Sequence, residues 1–586
     1  MSNKKSSKDS NLSNYGYDMV VATTQDSINA TLKQYLYKME STEYVVAYSI
    51  TYDEKGHSLI KEISYHELVE KIGIDLFKIS EDNKTQKEID AINKAYDDFD
   101  FYMAIKGSIG IDKLTNGFPD IIELLESDIS STANVSYKAY FNNLEFVYLK
   151  EHKSNVYFNN LKQPKDNPWI FKFNVKLDLQ DEDFKNLPID IQKQIKNLDP
   201  ETMFSVKQLY LDLNSAKLQS CPTIEGVSEG TEEYDLINRF FVKIYWKGLK
   251  DSDKGDVIFG YALAPLKKGT SYNNNSNYDP NYIIVPTNFT FYVSTYSDPK
   301  TGKKNPGLNT LNYVVMCDGH LIPKLKPFTW NWLESNEQSN KHGSISINRN
   351  DFASKMANQL MNSLKLLLLQ PKVAVKKNGS DFHLEIYLEP CEDKVEPIVV
   401  TESGSKVLTY KFSRKDSDDD KYGLLRKASA SLEYILDYSV EFINNKIIIT
   451  TKIETPLKVD PGAITKTAKG EIASYVLTDI YTLFVDVNGG LDFKYKHDSV
   501  YHQDDFDAGI WTNMCFKNFN EFIDKYRYRL KKAIDDYCFK YNKSMGKNLN
   551  KSLNWVFPGN SSFIFSNVSF SNYQDLIVNI TYAQEN

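Results

Sequence analysis

The five cysteines of this 586-residue chain, Cys221, Cys317, Cys391, Cys515 and Cys538, are odd in number, far apart and without a C-x-x-C pair. That spacing suits neither a disulfide framework nor a structural zinc site. No run reaches the ~18 apolar residues a spanning helix needs. The basic, polar start MSNKKSSKDSNLSN is followed by no apolar segment of signal-peptide length. A soluble protein is expected, cytoplasmic on synthesis and, if it leaves the cell, released without a cleaved signal peptide. With 70 basic against 78 acidic side chains, a formal net charge of -8 and no long Lys/Arg block, phosphate neutralisation has no footprint, so nucleic acid is not an expected partner. P-loop and dinucleotide fingerprints are absent too, and no cofactor is expected.

What is abundant is aromatic. The 39 Tyr and 32 Phe favour pleated, half-buried surfaces and so a sheet-dominated fold. Hydrophobic residues at 41% and charged residues at 25% are the proportions of a globular chain, and the length allows two to four core-bearing units. We divide it into a disordered tail at 1–14, a helix-plus-antiparallel-sheet domain at 15–218, a β-rich middle at 219–345 and a second helix-plus-sheet domain at 346–586.

Three stretches have helical periodicity. In the first, which opens at Asn14, Thr23 is the expected N-cap with Asp26 three residues on, and Ile28, Leu32, Tyr35, Leu36 and Met39 form one apolar stripe. In the second, Asn350 is the expected cap, Phe352, Met356, Leu360, Leu364, Leu367 and Leu368 form the stripe, and Pro371 ends it. The third, from Phe516 to Tyr541, places Phe519, Ile523, Tyr526, Leu530 and Ile534 on one side. Between them the text alternates as strands. Turns are read at Asp53–Gly56, at Asn444–Asn445 and at the NGG of 488–490, and a polar helix is read around Ile189 to Lys196. An antiparallel sheet with one apolar face has to cover it, and an amphipathic helix laid across it does so. The expected class is therefore α+β and β-dominated, with long amphipathic helices packed on twisted antiparallel sheets.

Chemistry-bearing groupings are few. His497, Asp498, His502, Asp504, Asp505 and Asp507 offer metal-ligand types within eleven residues, but without fixed spacing they read as a solvated loop, and no metal is expected. KDSDDDKYG (415–423) and KDSDKGD (250–256) lack the acidic twelfth position of a calcium loop and read as acidic turns. Gly226, Ser228 and Gly230 match G-x-S-x-G, yet the preceding SCPTIE makes a poor strand for a nucleophile elbow, so a linker is expected. Cys317 and His320 would face opposite ways on a strand unless a turn intervenes. Trp330 and Trp332 read as an aromatic core rib, or else as a stacking platform for sugar or membrane.

The segment Gly16, Tyr17, Asp18, the apolar pair Val20 and Val21, then Ile28, Asn29 and Leu32, resembles the start of proteins in the tubular lipid-binding (TULIP) superfamily. Among these it is most similar to the OrfX-like accessory proteins of clostridial neurotoxin clusters, with Tyr17 where Trp is most common. The resemblance implies a helix wrapped by a twisted sheet around an apolar groove, lipid binding and no catalysis, arranged here as two such modules. The expected function is then a non-enzymatic binding protein for a lipid, a hydrophobic ligand or a protein partner, toxin-associated if the resemblance extends that far. Its ligand-binding residues would be Ile28, Leu32, Tyr35, Leu36, Trp330, Trp332, Met356, Leu360 and Leu364. The alternatives are a glycan- or cell-surface-binding toxin component and a hydrolase using two carboxylates.

Overall fold

The run MVVATT just before the first helix is too rich in β-branched side chains to prolong that helix backwards. In the computed structural model it is the strand Met19–Thr24, buried along its whole length. The structure describes residues 4–38, 43–111, 120–126, 134–152, 155–182, 204–211, 223–240, 258–265, 286–392, 397–423, 426–462, 467–487, 489–502, 516–541 and 563–582. Met19–Thr24 lies inside a six-stranded antiparallel sheet, the central sheet. In order its strands are Pro286–Ser294, Thr310–Cys317, Met19–Thr24, Gly343–Ile347, Leu576–Tyr582 and Phe563–Phe570. Gly343 sits so close to its neighbour that a Cβ there would lie 2.3 Å from the Ala22 carbonyl oxygen.

The first helix consequently begins later than expected, at Gln25, and runs to Lys38. Its cap is Thr24 rather than Thr23, because the Ser27 N–H donates to Thr24 Oγ1 at 3.2 Å. The second helix spans Arg349–Leu364 and is capped by Asn348 rather than Asn350, with the Asn350 N–H donating to Asn348 Oδ1. A 3-10 turn, Lys365–Leu367, follows, and Pro371 lies inside the next strand, Leu369–Asn378. The third helix spans Phe519–Tyr541.

Four more antiparallel groups complete the strand-rich fold, and none of the described sheets closes. One joins Ile258–Pro265, Phe204–Leu211, Ile170–Glu182, Asn134–Ala139 and Ile122–Leu124, with Thr223–Glu225 beside Ile170–Glu182. The five-stranded sheet runs Ser58–Ile63, Tyr44–Tyr52, Phe101–Ile109, Phe141–His152 and Asn155–Lys162. The long sheet is a meander of Val399–Val400, Lys406–Tyr422, Arg426–Ile443, Lys446–Asp460, Ala468–Val485 and Leu491–His502. Leu369–Asn378 pairs with Asp381–Pro390 as a hairpin.

The acidic run at 415–423 is neither a calcium loop nor a turn. It belongs to the strand Lys406–Tyr422, where alternate side chains share a face. Asp416, Asp418 and Asp420 accept the N–H groups of Val373, Val375 and Lys377 at 2.7, 2.8 and 2.7 Å. Three carboxylates thus stand in for the carbonyls of a neighbouring strand along the edge of the hairpin.

Residues 7–14 are likewise no loose tail. They form 3-10 turns at Ser7–Asp9 and Leu12–Asn14, and the buried Asp575 carboxylate accepts from Leu12 N–H and Ser10 Oγ. The expected two-module division gives way to one interior. A single apolar cluster takes in Ile28 and Leu32, Met356, Leu360 and Leu364, and Phe519 through Tyr537, together with side chains from every large sheet. Phe442 of the long sheet stacks on Phe570 of the central sheet at 4.5 Å and meets Phe352 of the second helix at 5.4 Å. The central sheet draws strands from all three stretches that the sequence divides. The segments 189–196 and 250–256 lie outside the described residues.

Candidate functional site

The five-stranded sheet has two apolar faces. Val46, Tyr48, Met103, Ile105 and Phe146 join the main core. Ala47, Ala104, Val147 and Leu149 meet the helices Tyr65–Ile72 and Gln86–Phe99. A capping box at Thr85 and Glu88 starts the second of these helices, and Asp100, in the left-handed region at φ 48°, ends it. From Asp100 the chain turns straight into the strand Phe101–Ile109, and the Asp100 carbonyl accepts the Ile50 N–H at 2.9 Å. On the main-core side a helical segment, 232–240, is held down by Phe240, whose ring lies 5.1 Å from Tyr48 and 6.4 Å from Tyr102.

Between the end of Gln86–Phe99, the ends of three strands and the 232–240 helix lies an open cleft of about 970 Å³, at the upper end of the range for small-molecule sites. Tyr52, Tyr96, Tyr102 and Tyr148 supply rings to its wall. Asp97, Asp100, Glu151, Glu232 and Asp235 supply carboxylates, and Lys150 and Arg239 supply the cations. The Tyr96 hydroxyl donates to Glu151 Oε2 at 3.4 Å, and Lys150 forms an ion pair with Glu232. The phenol of Tyr96 is raised above its ordinary pKa, first by burial and then by the Glu151 charge. Tyr148 is raised by burial and then by Glu233 and Glu232. The wall can stack a flat or cationic group on tyrosine and accept hydrogen bonds at several carboxylates.

Of the nine residues expected to line an apolar groove, none of the seven whose side chains are described borders this cleft. Ile28, Leu32, Met356, Leu360 and Leu364 are buried in the main core, while the side chains of Tyr35 and Leu36 lie outside the described residues. Trp330 and Trp332 are 1% and 2% exposed. They pack edge-on at 5.6 Å beside Phe328, so they form the core rib and offer no open platform. Neither indole N–H has a hydrogen-bond partner among the described residues.

Cys317 and His320 are brought to one place, because a turn through Asp318 and Gly319 separates them. Asp18 binds both, accepting the Cys317 N–H at 2.6 Å and lying 2.8 Å from His320 Nδ1. Burial first, and the Asp18 charge next, push the Cys317 thiol far above its usual range, which leaves it protonated and unreactive. Asp351 lies alongside. Asp18, His320 and Asp351 present ligand atoms within 4.8 Å of one another and are the described residues that could hold a metal ion. Burial and then Asp18 raise the Asp351 carboxyl to about 8, as two carboxyl groups in one half-buried place require.

His497 is 2.7 Å from the buried Asp479 and belongs, with Asp498 and His502, to the strand Leu491–His502 rather than to a loop. Asp504, Asp505 and Asp507 lie outside the described residues. Ser228 is exposed in the turn between a three-residue strand and the 232–240 helix, where its carbonyl accepts from Thr231 Oγ1.

Periodicity could not have found the cleft. Tyr52, Tyr102 and Tyr148 stand on three different strands and Tyr96 on a helix, and the acids are spread over two helices, a helix end and a strand, so no single periodic stretch carries them. The left-handed Asp100 at a helix-to-strand junction is the feature that points there.

No family model matches the chain, and no curated protein matches it. Among solved structures, one described as the crystal structure of lipopolysaccharide binding protein is similar at 8% identity and a TM-score of 0.29, over 97% of this chain and 99% of that one. A likeness of that size carries no argument about this chain. No helix among the described residues is long and apolar enough to cross a membrane.

Proposed function

We propose that this chain is a non-enzymatic binding protein that takes a polar ligand in the cleft at the end of the five-stranded sheet. The observation that carries this reading is the composition of the wall, where the described residues interleave four tyrosine rings with five carboxylates around about 970 Å³. Aromatic faces beside hydrogen-bond acceptors recognise polar molecules that have one flat or cationic face. Support for the non-enzymatic part comes from the nucleophile candidates: Cys317 is buried with its thiol pushed up, and Ser228 projects from a turn. The test is a ligand panel read by isothermal calorimetry on the full chain. Tyr96→Ala and Asp235→Asn should weaken whatever binds. A ligand whose affinity neither substitution changes would place the site elsewhere, and turnover of glycosides lost with Glu151→Gln would replace the reading with the hydrolase.

A second reading keeps the apolar ligand, an acyl chain or hydrophobic partner, and with it the TULIP-like, toxin-accessory role. It is favoured by the continuity of the apolar interior across three helices and every large sheet. Native mass spectrometry after mild purification would detect co-purified lipid. Its absence from several independent expression hosts would remove this reading.

A further inference from the structure

We propose that the cleft selects ligands bearing an organic ammonium group, an inference that rests on reading the cleft as the binding site. Among the described residues, five carboxylates face two cations across the wall, and Lys150 is already paired with Glu232. The unbalanced charge is therefore negative. A cleft lined by one excess sign with low-dielectric walls concentrates the field inside it and raises the local concentration of the opposite ion. Anionic ligands are repelled by the same field, and neutral sugars gain nothing from it.

The rings decide what kind of cation fits. Tyr96, Tyr102 and Tyr148 are half-buried, so their faces are partly desolvated, while Tyr52, 68% exposed, stands at the wet edge. A cation over such a face is attracted by the ring's quadrupole, and alkylammonium groups exploit it best because their hydration is weak. An inorganic divalent ion needs several oxygen or nitrogen atoms converging on one point. Among the described residues that convergence occurs at Asp18, His320 and Asp351, not in the cleft. The volume is also far beyond a bare ion and matches a chain-like molecule. The Tyr96 and Tyr148 phenols respond to the same negative field, being raised in part by Glu151, Glu232 and Glu233.

A free polyamine and a lysine side chain on a partner share this chemistry. The test titrates the full chain by calorimetry at low and at physiological salt with spermidine, choline, tetralysine, maltotriose and tetraglutamate. The amine probes should bind, several-fold more weakly at the higher salt, and maltotriose and tetraglutamate should not. Asp235→Asn, on an exposed helix face, and Tyr96→Ala should each lower amine affinity about five-fold or more, with thermal melts confirming that both variants fold. Binding of tetralysine without spermidine would assign the ammonium to a macromolecular partner. Spermidine or choline bound as well as tetralysine would assign it to a small molecule. Maltotriose binding that Tyr96→Ala abolishes, with no amine bound, would overturn the ammonium inference and leave the cleft as the site. Amine affinity unmoved by both substitutions, or no probe bound at all, would overturn the inference outright.

Discussion

Asp100 adopts the left-handed conformation at φ 48°, which costs a non-glycine residue roughly 1 kcal/mol. Glycine relieves that strain, so Asp100→Gly should raise stability by up to about 1 kcal/mol in urea unfolding while removing a carboxylate from the cleft. Stabilisation with weakened ligand binding would identify Asp100 as a residue kept for recognition. Asp351 carries the opposite kind of strain. Its folded pKa of about 8 lies above the ordinary value near 3.9, so the native state binds the extra proton. Stability at this group is therefore fully present in acid and is lost as pH rises from about 4 to about 8. Asp351→Asn should flatten that part of the pH–stability profile measured in EDTA. At Trp330, truncation to Ala should cost about 3–5 kcal/mol. Because the indole N–H has no partner among the described residues, Trp330→Phe should cost much less. The burial of this residue was legible in the sequence as the core rib. The left-handed state of Asp100 was not, since nothing in DDFDFY distinguishes a helix end from a loop.

The carboxylate row Asp416, Asp418 and Asp420 joins the long sheet to the hairpin at Leu369–Pro390. Replacing Asp416 or Asp418 by Ala orphans a part-buried N–H and should cost about 1–3 kcal/mol, with faster hydrogen exchange at Val373 or Val375. Asp420→Ala should matter least, because its partner, the Lys377 N–H, is exposed. The Asp420 carboxyl is held below its usual value, first by the Lys377 N–H and then by the Lys421 N–H. Its contribution is present above the ordinary carboxylate range and is lost as pH falls, so the seam should open from this end in acid. Hairpins were readable locally. Asn444–Asn445 does join Arg426–Ile443 to Lys446–Asp460, since turn chemistry and strand alternation are both properties of neighbouring residues. The acidic strand was misread as a turn because its partners are 43 residues away in sequence. The opening strand was not read as a strand, because Val20 and Val21 are an apolar pair too short to show alternation and their partners, in Thr310–Cys317 and Gly343–Ile347, are about 300 residues away.

The central sheet takes its strands from near both ends of the chain and from the middle, and one apolar interior runs through them. Fragments 15–218 and 346–586 expressed alone should therefore fail to fold, since each leaves the other's strands unpaired. The full chain should unfold in a single major transition. Two separate native-like fragments by circular dichroism would restore the modular picture. By itself the sequence determined the strand-rich class, local hairpins such as that at Asn444–Asn445, and the burial of Ile28, Leu32, Met356, Leu360 and Leu364 on their helices, because each follows from side-chain period and local turn chemistry. Only the tertiary structure decided where a ligand can enter. The cleft gathers side chains from residue 50 to residue 239, and its negative, tyrosine-lined character arises from a juxtaposition across four separate segments that no local pattern encodes.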